Sequence, residues 1–259
     1  MRSRRISQRC GRARLRGMRK LFVLMLLAAI PCLGDDPKDP CPTKWSYSGK
    51  TGPAFWGDLD PAWETCSTGI SQSPLDVNSL ARRDQKLRVL EFGGEESTFK
   101  VKNTGNNLKV YVTDPWTLKS TGATLDEFHF HVPAEHLDRG RRHAAELHFV
   151  FKKGAEAYAV AVWIDEGPAN SAIAKVLALK PEECDTSKTS KAKIWITSLL
   201  KTQKHYGTYS GSLTTPPCSE PVTFLLTLDP ITASRRQIAA LKLLATGNAR
   251  PLQWMKFRN

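Results

Sequence analysis

Two stretches of this chain alternate polar and apolar side chains closely enough to restrict their conformation: Glu127-Phe128-His129-Phe130-His131-Val132 and Glu146-Leu147-His148-Phe149-Val150-Phe151. A period of two belongs to the β-strand, whose successive side chains point to opposite faces. Glu127, His129 and His131 therefore share one face and Phe128, Phe130 and Val132 the other, while Glu146 and His148 point away from Leu147, Phe149 and Phe151. If the two strands are neighbours, three imidazoles converge. Three neutral imidazoles with an open fourth position are the donor set of a catalytic zinc site. A lone strand histidine is more often a hydrogen-bonded core or surface residue; the third histidine, with a carboxylate on its own face, makes a metal site as good a reading as a structural one. A metalloprotease helix is a poor competitor, because there is no His-Glu-x-x-His and Pro133 interrupts the segment after His131.

Other alternating runs bounded by turn residues cover 98–103, 108–114, 157–164 and 221–228, and the two histidine strands extend over 125–132 and 145–151. Helical periodicity is confined to 169–179, 191–200 and 234–246. The simplest architecture is α+β and mostly β, one large sheet with peripheral helices.

The formal net charge of +13 resembles a nucleic-acid footprint until it is located. Nine of the basic residues lie in the first twenty positions, which hold no acid, and without them the balance is +4. The apolar run Leu21 to Ile30 that follows is too short to span a bilayer, and Cys32 and Gly34 are small residues spaced for a signal peptidase. We therefore expect a cleaved leader over 1–34, an extended tail over 35–44 and one domain over 45–259. Met18 as the true start, a poor twin-arginine match and an Arg-rich transit segment stay open. A secreted or periplasmic protein is expected, with an organellar lumen open. No later segment is apolar enough to anchor the chain, and no basic-aromatic stripe supports nucleic-acid binding. Of six cysteines, Cys41, Cys66, Cys184 and Cys218 follow the leader, and in an oxidising compartment disulfides are favoured, with three pairings possible.

A set of motifs recurs in a specific order: Trp45-Ser46-Tyr47, Gly52-Pro53 with Trp56-Gly57, Gln72-Ser73-Pro74-Leu75-Asp76, Phe128-His129-Phe130-His131 with Glu135-His136, Ala145-Glu146-Leu147-His148, Tyr209-Ser210-Gly211-Ser212-Leu213-Thr214-Thr215-Pro216-Pro217, and Asn248 with Arg250-Pro251. In that order the chain resembles the α-class carbonic anhydrases from Trp45 to Gln253. The resemblance implies a central, mainly antiparallel twisted sheet and zinc-dependent reversible hydration of carbon dioxide to bicarbonate and a proton, by zinc-bound hydroxide. A binding or storage protein on the same fold, with weak or residual activity, is the alternative. Anions and sulfonamides are the implied inhibitors, and an oligomer is left open.

Residue by residue, the resemblance makes His129, His131 and His148 the zinc ligands and Glu146 the carboxylate orienting His148, with Glu127 and Asn248 also around the ligands. Thr214 takes the part of a gatekeeper hydroxyl donating to Glu135. Val150, Val160, Leu213 and Val222 form an apolar wall for the substrate, and Thr215 and Phe224 complete the pocket, Phe224 standing where the family usually has a larger indole. Asn106 occupies the place of a proton-shuttling histidine, and an amide does not titrate near neutrality. Glu127 stands where glutamine is usual; it should either strengthen the hydrogen bond from His129 or pair with a nearby Lys or Arg. Cys66 is implied to bridge Cys218, leaving Cys41 and Cys184 for each other or for a second protomer. His136 is expected to be structural, and His143 and His205 to be solvated loop residues.

Overall fold

The structure, a computed structural model, describes residues 44–77, 90–179, 181–182, 184, 187–200, 206–245 and 247–253. The expected leader, nearly all of the tail, Cys41 and His205 lie outside the described residues. The strands are β1 (Phe92–Gly93), β2 (Phe99–Asn103), β3 (Leu108–Val112), β4 (Thr117–Leu118), β5 (Ala123–His131), β6 (Leu137–Asp138), β7 (Arg141–Arg142), β8 (Ala145–Lys153), β9 (Glu156–Glu166), β10 (Lys188–Thr189), β11 (Tyr206–Gly211) and β12 (Val222–Ala233). Four α-helices accompany them: α1 (Trp56–Leu59), α2 (Thr65–Thr68), α3 (Ser171–Ala178) and α4 (Arg235–Leu244).

One ten-stranded sheet dominates, with the order β10-β2-β3-β5-β8-β9-β12-β11 and with β1 and β4 attached beside β5. Its pairs are antiparallel except β12 with β9, which run parallel. A parallel pair cannot be closed by a tight turn, and here the long return path includes α3 and β11. The mostly-β single sheet is the architecture expected from the alternating runs.

The alternation separates two cores. Phe128, Phe130, Leu147, Phe149, Phe151, Val160, Val162 and Ile164 fill one face together with Ile173 and Val176 of α3 and Leu241 of α4. Each such side chain, fully withdrawn from water, contributes about 1.5–3 kcal/mol. The other face carries a smaller cluster, including Ala159, Ala161, Trp163, Val222 and Phe224, and the histidines project on this side.

Local chemistry sets the helix ends. Asn170 caps α3 by accepting from Ala172 N and Ile173 N, and Ser234 with Gln237 forms a capping box on α4. Gln237 also bonds Asn170 in both directions, tying the two helices together beneath the sheet.

One expectation changes. The segment 191–200 is not a helix: Ile194 pairs with Ser97 through two backbone hydrogen bonds, and only Ile196–Ser198 makes a 3-10 turn. Its apolar residues Ile194, Ile196, Leu199 and Leu200 are buried by this course, so tertiary packing overrides the local helical pattern. The Tyr209 to Pro217 motif begins inside an edge strand, since Tyr206–Gly211 pairs with β12 over its whole length. A Tyr-Gly-Thr-Tyr-Ser-Gly strand carries almost no apolar alternation by which to recognise it.

Candidate metal centre

Strand register brings the histidines together. His129 lies directly opposite His148 in the β5/β8 pairing, and His131 opposite Glu146. The ring centroids are 4.9 Å apart for His129 and His131, 5.4 Å for His129 and His148, and 4.6 Å for His131 and His148. One nitrogen from each ring falls within 4.8 Å of the others.

The hydrogen bonds determine which nitrogen each ring presents. His131 Nδ1 lies 2.7 Å from the carbonyl oxygen of Asn248, which can only accept, so this nitrogen carries the proton and Nε2 holds the lone pair. His129 Nδ1 is 3.0 Å from both Glu127 oxygens. Burial acts to raise the Glu127 carboxyl, but His129 and Lys109 together hold it below the usual range, so Glu127 is an acceptor and His129 presents Nε2. His148 is turned the other way round: Nε2 donates to Glu146 Oε1 at 2.7 Å and Nδ1 is left free. Among the described residues the buried His131 Nε2 has no hydrogen-bond partner. A buried nitrogen left without a donor is costly unless something fills its place. Three imidazole lone pairs facing one another, one of them orphaned, fit a metal ion of zinc's preference for nitrogen donors.

A second group, His136, Glu146 and His148, has the spacing but not the free electrons. His136 Nδ1 donates to Glu146 Oε1 at 2.6 Å, and His136 Nε2 accepts from the Tyr209 hydroxyl at 2.7 Å. Glu146 Oε2 accepts from the backbone of Glu135 and His136, at 2.9 and 2.8 Å. Against the cost of burial, its contacts with His136 and His148 hold Glu146 well below the carboxylate range. It acts as a fixed anion behind His148, more heavily anchored than strand alternation alone implied.

Asn248 clamps the end of β5, its amide donating to Phe130 O at 2.7 Å and its side-chain oxygen accepting from Val132 N at 2.8 Å. That clamp places the carbonyl that orients His131. Nearby, Glu135 is fully buried, accepts from Arg250 N at 2.8 Å and lies 3.4 Å from His131 Nε2. Burial raises its carboxyl to about 7, against lowering contributions from His148, the Arg250 amide and the Thr214 hydroxyl.

The site opens into a cavity of about 220 Å³. Val150, Ala159, Leu213, Val222 and Phe224 make an apolar side; Lys109, Asp126, Glu127 and Lys152 make a polar one, with Thr214, Thr215 and Pro216 beside His129 and His148. Val160 is a correction: it is opposite Phe149 on β8 and belongs to the far core, while its neighbour Ala159, opposite Val150, takes the wall position. A one-residue step along a strand exchanges the faces.

Asn106 does not line the cavity; its amide donates to Trp45 O at 3.0 Å. His143 is not solvated: it is 4% exposed, pairs with Asp165 at 2.9 Å and stacks on Trp163 at 4.5 Å between centroids. Tyr209, the Asp126–Lys152 pair and Ala159 were missed in the sequence, and only Tyr209 lay within a motif that signalled anything. Glu127 meets both of its expected partners, since Lys109 Nζ is 3.3 Å from Oε1. Cys66 and Cys218 are bridged, with Cα atoms 5.0 Å apart, and Cys184 is also in a disulfide.

A three-imidazole cluster that could hold a metal lies on the face of a large mixed sheet, beside a half-apolar cavity. The chain belongs to the carbonic anhydrase family: the model of the eukaryotic-type carbonic anhydrases matches residues 51–258. A carbonic anhydrase of Klebsiella pneumoniae is 33% identical over 232 residues, covering 87% of this chain and 94% of its own. The α-carbonic anhydrase of Thermovibrio ammonificans, solved in complex with the inhibitor sulfanilamide, superimposes with a TM-score of 0.76 at 34% identity, over 82% of this chain and 95% of its own. Dioscorin DB3L of Dioscorea polystachya is 28% identical over 92% of this chain and 93% of its own. The chain is thus an enzyme of the carbonic anhydrase family, whose fold and membership support hydration of carbon dioxide.

Proposed function

We propose that this enzyme is zinc-dependent and interconverts carbon dioxide with bicarbonate and a proton. The observation that carries the reading is the tautomer set: Asn248, Glu127 and Glu146 each hold the outward nitrogen of one histidine, leaving three lone-pair nitrogens within 4.8 Å of one another. Zinc held by His129 Nε2, His131 Nε2 and His148 Nδ1 would supply a Lewis acid that lowers the pKa of water toward neutrality, carbonic anhydrase being itself the standing example of that chemistry.

The remaining work belongs to the chain. Thr214, lying against Glu135, donates its proton there and so accepts from the attacking water, fixing the direction of its free lone pair toward the substrate. Val150, Ala159, Leu213, Val222 and Phe224 hold a molecule that offers few hydrogen-bonding groups and keep competing water away. The polar side, with Lys109 and Lys152, receives the charged product. We further propose export behind the cleaved leader, which agrees with a disulfide-bonded domain, and inhibition by small anions and sulfonamides.

Zinc analysis joined to a carbon dioxide hydration assay tests the reading. One zinc per chain and hydration are expected, with metal and activity both lost in His129→Ala, His131→Ala and His148→Ala. Stoichiometric zinc retained in all three variants would refute the ligand assignment. Zinc without hydration would leave a binding or storage protein instead.

A further inference from the structure

Lys109 and Glu127 are charged groups set against a ligand histidine. Lys109 lies directly across the β3/β5 pair from His129, and Glu127 precedes His129 by two residues on the same face. Both line the cavity. The three groups form a chain: Lys109 Nζ to Glu127 Oε1 at 3.3 Å, then both Glu127 oxygens to His129 Nδ1 at 3.0 Å. The Glu127 side chain is 6% exposed and that of Lys109 36%. Among the described residues no other hydrogen bond or ion pair holds the carboxylate, so its orientation is set by these two partners.

A buried carboxylate beside a metal site adds a full negative charge to it, and the effect on an approaching anion is large at cavity distances. Lys109 cancels that charge at the point where it enters. We infer that Lys109 and Glu127 act as one charge-neutral unit, in which Lys109 is a positioning residue that holds the Glu127 carboxylate on His129 while leaving the cavity's charge where a neutral amide would leave it. This rests on His129 being a metal ligand. The consequence is specific: either partner alone is harmful in its own direction, and the pair together resembles neither.

The test is a double-mutant cycle with Lys109→Met, Glu127→Gln and the combined variant. Thiocyanate binding to the zinc-loaded proteins, measured by calorimetry at fixed ionic strength, reads the cavity charge. Glu127→Gln leaves the ammonium uncompensated and should bind thiocyanate about tenfold more tightly. Lys109→Met leaves the carboxylate uncompensated and should bind it about tenfold more weakly, and the combined variant should return to within about twofold of the parent. Lys109→Arg, which keeps the charge and the reach, should behave as the parent. Urea unfolding of the metal-free proteins reads the pair without the metal: the losses of the two single variants should exceed that of the combined variant. Singles that shift thiocyanate affinity in the same direction, a Lys109→Met protein with unchanged affinity, or unfolding losses that simply add, would overturn the inference. Zinc analysis of the parent tests the three-histidine reading separately; were that to fail, the urea cycle on the metal-free chain would still decide for or against the pair.

Discussion

Removing the Cys66–Cys218 bridge by the double change Cys66→Ala and Cys218→Ala should cost stability without dismantling the site. The bridge closes a loop with a sequence separation of 152. In the chain-entropy account a loop of that length removes about 17 cal/mol/K from the unfolded ensemble, about 5 kcal/mol at room temperature, with about 2–4 kcal/mol typical of measured bridges. For a domain of this size each kcal/mol moves Tm by about 2–4 °C, so a fall of about 10 °C is expected. The local structure has its own supports. Gln72 Nε2 donates to Cys218 O at 3.0 Å and Arg250 Nη2 to Cys66 O at 3.1 Å. Cys218 N donates to Thr215 O at 2.9 Å, and Leu213 N to Ser219 O at 3.1 Å, so the loop bearing Thr214 keeps its turn without the bridge. Calorimetry should therefore show the drop in Tm while kcat/KM for hydration at 10 °C stays within about threefold of the parent. A Tm change under about 2 °C, or a hydration rate that collapses at 10 °C, would show that the bridge acts by shaping the folded loop and not by constraining the unfolded chain.

Val160→Ala should lower stability by about 2 kcal/mol in urea unfolding through lost burial, with kcat/KM unchanged, whereas Ala159→Val should reduce kcat/KM by filling the cavity; the reverse assignment of effects would restore Val160 to the wall. Among the described residues, the imidazoles lining the cavity are those of His129 and His148, both assigned to the metal, so free imidazole buffer should raise kcat more than kcat/KM, whereas Asn106→His, at a position off the cavity, should not. Indifference to imidazole would reveal another proton path. Glu146 is held well below its ordinary value of 4.5, so its stabilising contribution is complete above that value and fades as pH falls below it. The urea midpoints of metal-free parent and Glu146→Gln should accordingly differ most above about pH 5, and the gap should narrow as pH falls below that; a gap that stays the same from about pH 6 to about pH 3 would contradict the ionised-anchor role.

The period-two pattern of 127–132 and 146–151 was enough to determine that within each strand the imidazoles leave on one face and the phenylalanines on the other, because side-chain direction along a strand is a local property. It also placed Glu146 within reach of His148. Periodicity carries no information about events between strands, and there tertiary structure decided. The carbonyl that orients His131 comes from Asn248, 117 positions away, and the tyrosine behind His136 from an edge strand whose sequence has almost no pattern of its own. The exchange of Val160 for Ala159 has the same origin: both are small and apolar, and only the register against β8 assigns one to the far core and the other to the cavity. His143 was misplaced because a histidine directly after two arginines looks solvated until Trp163 closes over it. Residue types and their spacing decided which chemistry was available to this chain, and the pairing of distant segments decided which nitrogen, which wall and which charge partner each of those residues received.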